Sequence, residues 1–175
     1  MTRVKHKFLK HKINPETEIL IVGTFNPEGN DNEANFFYSR QRNYLWTLIP
    51  KAFGLESLKG KSQSEKLDFI TERKIDFIDL IKEIEVDQVL NYYDGYLDKK
   101  DKTWRDVISE MENLKNLKKV CFTRKTFSDI PEMKQRIEGI KQYCERWGIK
   151  FECLVTPARF YNSDKQAEWT KFLTE

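Results

Sequence analysis

The chain has 175 residues, 39% hydrophobic and 34% charged, with a formal charge of +3. That length holds one domain with a proper core and is short for two, and an aromatic content of 13% sets the chain apart from disordered sequences. No run approaches the roughly 20 apolar residues of a membrane span, and the mild positive charge permits nucleic-acid binding without demanding it.

The first seventeen residues are a basic lead-in: Arg3, Lys5, Lys7, Lys10 and Lys12, with His6 and His11 between them. No apolar segment of the signal-peptide kind follows them, so a cytoplasmic protein is expected. The lead-in reads as a solvated arm or an edge element in preference to a phosphate contact. Ile19 to Thr24 is a short, continuously apolar, β-branched run ending at Gly23, which suits a central parallel strand buried on both faces. A long polar loop over 25–38 contains Asn26-Pro27 and ends in Phe36-Phe37-Tyr38; loops of that length in compact domains are usually functional or mobile. Ser39-Arg40-Gln41-Arg42-Asn43 then leads into a helix carrying Leu45, Trp46, Leu48 and Ile49, with Pro50 interrupting it and Gly54 as its stop.

A second, mostly polar helix is predicted to start after Ser62 or Ser64. Ile75–Ile81 is a second strand, with Asp76 and Asp79 near its ends, and 85–102 is a polar excursion between sheet elements. Thr103 is a candidate N-cap for a helix over TWRDVISEMENLKNL, with Asp106 at the capping-box position. Lys119–Thr123 is a third strand. Pro131 opens a helix that Gly148 ends, Ile149–Val155 is a fourth strand, and a last helix begins at Ser163 or Asp164. Strands alternating with helices imply a three-layer α/β/α sandwich around a four-stranded, mainly parallel sheet, formed by the whole of 1–175 as one domain. In such sheets a ligand lies beyond the carboxyl ends of the strands. Three loops leave those ends: 24–43, 79–104 and 156–163. Cys121, Cys144 and Cys153 are widely spaced and form no CxxC, so they read as reduced thiols, and no metal or cofactor is expected.

Gly23-Thr24-Phe25-Asn26-Pro27, then Phe37-Tyr38, then Asn43-Tyr44-Leu45-Trp46, resemble the uracil-DNA glycosylase superfamily, in particular its mismatch-specific (thymine/uracil) and hypoxanthine branches. Phe53-Gly54, Glu72 to Asp79, Lys119 to Thr126 and Thr156-Pro157-Ala158-Arg159 fit further along. The resemblance implies excision of a deaminated base flipped from DNA, by a monomer in base-excision repair. It casts Asn26 or Asn43 as the residue that places the attacking water. Gly23, Thr24 and Phe25 would form a backbone cradle for the leaving base, and Phe37 or Tyr38 an aromatic face for it. Arg40, Arg42, Thr156, Pro157 and Arg159 would contact DNA. The chemistry agrees: a flipped base needs stacking, edge reading by an amide, and a placed water. Glu28 follows Pro27 where a glycine is common in the family, and the second loop lacks the histidine of several branches.

Each residue also has a plainer role open to it. Asn26-Pro27 is a turn dipeptide, Asn43 is a good N-cap, Trp46 suits packing, and the aromatic triplet suits core beneath a loop. Three functions follow: a monofunctional DNA glycosylase; a member of the same superfamily that binds nucleobase or nucleic acid without cleaving it; and a small-molecule enzyme on the same sheet.

Overall fold

Ile19–Gly23 (β2) has every residue buried, as an uninterrupted apolar run requires. In this computed structural model, which describes residues 1–87 and 92–175, it lies in the middle of the main sheet. Ile75–Asp79 (β3) pairs with one edge of β2 and Lys119–Phe122 (β6) with the other; Lys150–Cys153 (β7) pairs with β6, all parallel, in the order β3-β2-β6-β7. Side chains alternate across the sheet. Ile19, Ile21 and Cys121 face a cluster with Leu45, Trp46, Phe77 and Trp169, while Leu20, Val22, Val120 and Phe122 face one with Met111, Met133 and Ile137. Helices α1 (Leu45–Ala52), α2 (Gln63–Arg73) and α6 (Ser163–Thr174) supply the first face, and α4 (Val107–Glu112) and α5 (Pro131–Trp147) the second. The three-layer architecture is the expected one.

Local signals set most boundaries. Ser62 and Glu65 form a complete capping box at α2, Pro131 opens α5, and Gly148 ends it in a left-handed conformation. Pro50 lies inside α1, where its ring removes the donor for the Trp46 carbonyl. The Leu58 N–H takes that place at 2.8 Å, so the chain after the helix repairs the loss.

Several readings need correction. A second, antiparallel sheet exists, ordered β1-β4-β5, from Thr2–Lys5 (β1), Ile81–Val86 (β4) and Lys102–Trp104 (β5). Part of the supposed polar excursion is therefore sheet, with the short helix α3 (Asp94–Leu97) inside it; its residues 88–91 lie outside those described. Because Lys102–Trp104 pair with β4, Thr103 cannot cap a helix. Asp106 does so, accepting from Ser109 N–H at 3.0 Å. Asn162 likewise caps α6 in place of Ser163. The basic lead-in is an edge strand, as one of its two readings had it, but its histidines are not solvated.

Candidate functional site

The parallel strands reverse their order of addition between β2 and β6: β3 joins one side of β2, then β6 joins the other. A crevice at the carboxyl ends of those two strands is where an open α/β sheet binds its ligand. Gly23 ends β2, directly beside Asp79 at the end of β3, and Thr123 follows β6. Tyr38 comes back over this point. A Cβ on Gly23 would lie 2.4 Å from the Tyr38 hydroxyl and 2.4 Å from Asp79 Oδ1, so only glycine permits the approach. The Tyr38 Oη is 3.5 Å from Thr123 Oγ1, and its ring rests against Phe77, centroids 5.6 Å apart. Burial, with Asp79 second, pushes the Tyr38 phenol well above its usual range, so it is a neutral donor here. Tyr38 adopts φ +56°, a left-handed conformation that a bulky residue rarely takes.

Two carboxylates flank the crevice. Asp79 is buried, and its Oδ2 lies 2.6 Å from His6 Nε2. The Phe8 N–H donates to His6 Nδ1 at 3.0 Å, so the ring proton resides on Nε2 and is given to Asp79. Asp94, on α3, pairs with Arg124 at 3.1 Å. Burial raises its pKa, against hydrogen bonds from Thr24 and Arg124 that lower it. Arg124 also bonds Asp129. None of His6, Asp79, Asp94, Thr123 or Arg124 was singled out as a site residue from the sequence. Asp79 had a usable signal, since it ends a strand of the parallel sheet; His6 had none, because its partner is 73 positions away.

Asn26 is 7% exposed, and its Oδ1 accepts from Asn32 Nδ2. Its backbone is drawn toward the arm: Lys7 N–H donates to the Asn26 carbonyl at 2.8 Å, and Pro27 bridges to His6. Asn43 is not the N-cap, which is Tyr44; it stands one residue earlier, and its Oδ1 accepts from Leu45 N–H at 3.0 Å at the entry to α1. Each amide oxygen keeps a second lone pair. Thr24 continues β2, its carbonyl accepting from Ile81 N–H, and Phe25 packs on the His6 ring and on Tyr92.

Phe37 is not an open aromatic face. It is 2% exposed and stacked on Phe77, with Phe36 edge-on beside it. His6, Phe8 and His11 from the arm lie over it, and that cover is the physical reason the reading fails. Of the two candidates for a base face, Tyr38 alone reaches the crevice.

The 40–43 segment and the 156–159 loop come together as one rim. Arg159 N–H donates to the Arg42 carbonyl at 2.7 Å, Tyr44 N–H donates to the Pro157 carbonyl at 2.9 Å, and Asn43 bridges to Ala158. Thr156 Oγ1 accepts from Ala158 N–H, and Pro157 is buried. The side chains of Arg40, Arg42 and Arg159 are exposed, and so is the neighbouring Phe160, at 54%. Two lysines hold this rim from below. Lys59 donates to the carbonyls of Gln41 and Asn43, both at 2.6 Å; Lys165, 4% exposed, donates to those of Ala158 and Phe160.

The same fold has been solved elsewhere. The solution NMR structure of a putative uracil DNA glycosylase from Methanosarcina acetivorans matches with a TM-score of 0.63 over 92% of this chain and 91% of that one, at 21% identity. No protein-family model matches the sequence, and no curated protein does. Among the described residues no helix is long and apolar enough to cross a membrane, and no group of three or more His, Cys, Asp or Glu is placed to hold a metal ion.

Proposed function

We propose that the protein is a DNA glycosylase of base-excision repair, similar to the mismatch-specific and hypoxanthine branches of the uracil-DNA glycosylase superfamily. On this reading it hydrolyses the N-glycosidic bond of a deaminated base flipped from DNA. The observation that carries the reading is the convergence of Gly23, Tyr38, Asp79 and Thr123 at the point where the order of strand addition reverses, in a fold shared with a putative uracil DNA glycosylase.

The roles follow from the chemistry. Bond cleavage builds positive charge on the sugar and negative charge on the base. Tyr38 swings off Gly23 and offers its ring as the face on which the base stacks. Backbone N–H groups of the Gly23-Thr24-Phe25 turn meet the charge on the leaving base. Asn26 or Asn43 uses its remaining lone pair to place the attacking water. Asp79 and Asp94, both beside the crevice, favour the developing sugar cation. Arg40, Arg42 and Arg159 hold phosphates along the rim, supported by Thr156 and Pro157, and Arg159 or Phe160 fills the space the base leaves.

A second reading has its own observation. The Tyr38 hydroxyl already occupies the space over Gly23, and both asparagine oxygens already accept hydrogen bonds. That arrangement suits a relative that binds a base or a strand and does not cut. Duplexes carrying a single uracil, hypoxanthine, xanthine or mismatched thymine, assayed for abasic sites, separate the two. Cutting that is lost in Asn26→Ala or Asn43→Ala supports the first and names the water-placing residue. A protein that cuts none of them but binds single-stranded DNA with a salt-dependent affinity supports the second. Cutting that survives both substitutions removes the asparagines from the mechanism.

A further inference from the structure

Lys66 is on the wrong face of its helix. It lies one turn before Phe69 and Ile70 on the buried side of α2 and is 2% exposed. Lysines are almost never buried to that degree without an anionic partner. Lys102, with an equally covered ammonium, follows the rule and pairs with Glu132 at 2.6 Å. Lys66 has no such partner among the described residues. Its Nζ donates to two neutral oxygens, Asn35 Oδ1 at 2.8 Å and Ser39 Oγ at 2.9 Å. A third N–H remains.

Lys66 borders a cavity of about 200 Å³ lined also by Tyr38, Trp46, Ser39, Gln41, Lys59 and Gly60, and its Nζ lies 5.5 Å from the centroid of the Trp46 ring. Lys59 brings a second positive charge, likewise without a carboxylate; its Nζ donates to the carbonyls of Gln41 and Asn43 and, at 3.4 Å, of Arg40. Burial lowers the Lys66 pKa, and the neighbouring Lys59 lowers it further. Two like charges therefore share a partly enclosed space with no counter-charge among the described residues, an arrangement that disfavours the empty state and favours an anion.

We propose that this cavity is a phosphate-binding site, in which the oxyanion accepts from the third Lys66 N–H and the Gln41 amide, with the Lys59 charge beside it; the Ser39 hydroxyl, which donates to the Phe37 carbonyl, holds the Lys66 ammonium in place. It is separate from the crevice at Gly23, with Tyr38 as the wall between them. It lies beneath the rim, since Lys59 also holds the carbonyls of Gln41 and Asn43. The phosphate comes either from solution or from the backbone of a strand lying along Arg40 and Arg42. The first source does not depend on the glycosylase reading; the second requires only that nucleic acid bind.

Thermal unfolding with rising inorganic phosphate, at ionic strength held constant with chloride, tests the first source. A midpoint that climbs with phosphate in the native protein and stays flat in Lys66→Met supports the site. The salt slope of single-stranded DNA binding tests the second: Lys66→Met lowers it by about 1 if the cavity takes a backbone phosphate. Gln41→Glu keeps the test decisive if Lys66→Met does not fold, because residue 41 is exposed and the new carboxylate supplies the missing counter-charge. It should raise the phosphate-free midpoint and abolish both responses. Equal phosphate responses and equal salt slopes in the native protein and the folded variants overturn the proposal, whatever the glycosylase assay shows.

Discussion

The hydroxyl of Tyr38 rests on the Cα of Gly23, so close that a single methyl group at position 23 would lie 2.4 Å from it. Asp79 Oδ1 closes the same space from the β3 side, and Asp79 is itself held by His6. Neither neighbour is the free end of a mobile surface chain. Gly23→Ala should therefore destabilise the fold by about 1–3 kcal/mol, as overpacking of a tight interior does. Urea denaturation measures it. Adding Tyr38→Phe removes one of the two close contacts and should recover part of the loss, whereas full recovery would mean that Asp79 yields freely.

Tyr38 itself should separate ring from hydroxyl. On the glycosylase reading the ring is the base-stacking face, worth about 1–3 kcal/mol, or roughly 5- to 150-fold in kcat/KM. Tyr38→Ala should lose that much. Tyr38→Phe keeps the ring, vacates the space over Gly23 and releases Thr123, so its kcat/KM should equal or exceed that of the native enzyme. A Tyr38→Ala variant that binds or cuts better than native would identify Tyr38 as a plug and not a platform.

How much of this could be read from the chain depends on the range of the signals. The apolar run of β2, the capping box at Ser62 and the stop at Gly148 are local, and the sheet and its helices follow from them. The second sheet is built from strands of four, six and three residues, two of them rich in charge, and such strands carry no periodicity long enough to detect. At the site, the sequence places Tyr38 and the rim arginines in their neighbourhood but cannot tell Phe37 from Tyr38. Which aromatic turns inward is decided by the φ of +56° at Tyr38 and by the arm that covers Phe37. The His6–Asp79 contact is equally invisible, because it is made only when the first strand reaches the mouth of the sheet.

The two arm histidines should differ in what their loss costs. Asp79 Oδ2 is bonded to His6, and no backbone N–H among the described residues supports that carboxylate, so His6→Ala leaves a buried acceptor without its donor, at a cost of about 1.5–3 kcal/mol. Asp76 is also buried and meets His11 at 2.7 Å, but the backbone N–H groups of Asn14 and Phe77 donate to it as well. His11→Ala should cost clearly less. Denaturant midpoints of the two variants give the order, and equal losses would contradict it.

The rim should respond to two substitutions in different ways. Arg159 is exposed and held at φ +78° by its bond to the Arg42 carbonyl, so on the glycosylase reading Arg159→Ala should weaken DNA binding and lower the salt slope by about 1. Lys165 is buried beneath the same loop and bonds the carbonyls of Ala158 and Phe160. Lys165→Met frees the loop without removing a charge that reaches DNA. Affinity should fall while the salt slope stays unchanged; a slope that falls by a full unit would place the Lys165 ammonium on a phosphate.

Lys66 should leave a mark on the pH dependence of stability. Burial and the Lys59 charge lower its pKa in the folded protein below the ordinary 10.5. Between that lowered value and 10.5 the unfolded chain binds more protons at this position than the folded one, so folding becomes more favourable as pH rises through the window. Lys66→Met removes this titrating group and leaves the other lysines in place. The stability of the native protein relative to Lys66→Met should therefore increase with pH up to about 10.5 and level off above it. Saturating phosphate, by holding the ammonium charged in the folded state, should flatten the rise. Urea denaturation of both proteins at several alkaline pH values, with and without phosphate, provides the difference curve. A difference independent of pH would mean that the Lys66 ammonium is as well solvated as one in water, and the case for an anion beside it would lose its electrostatic basis.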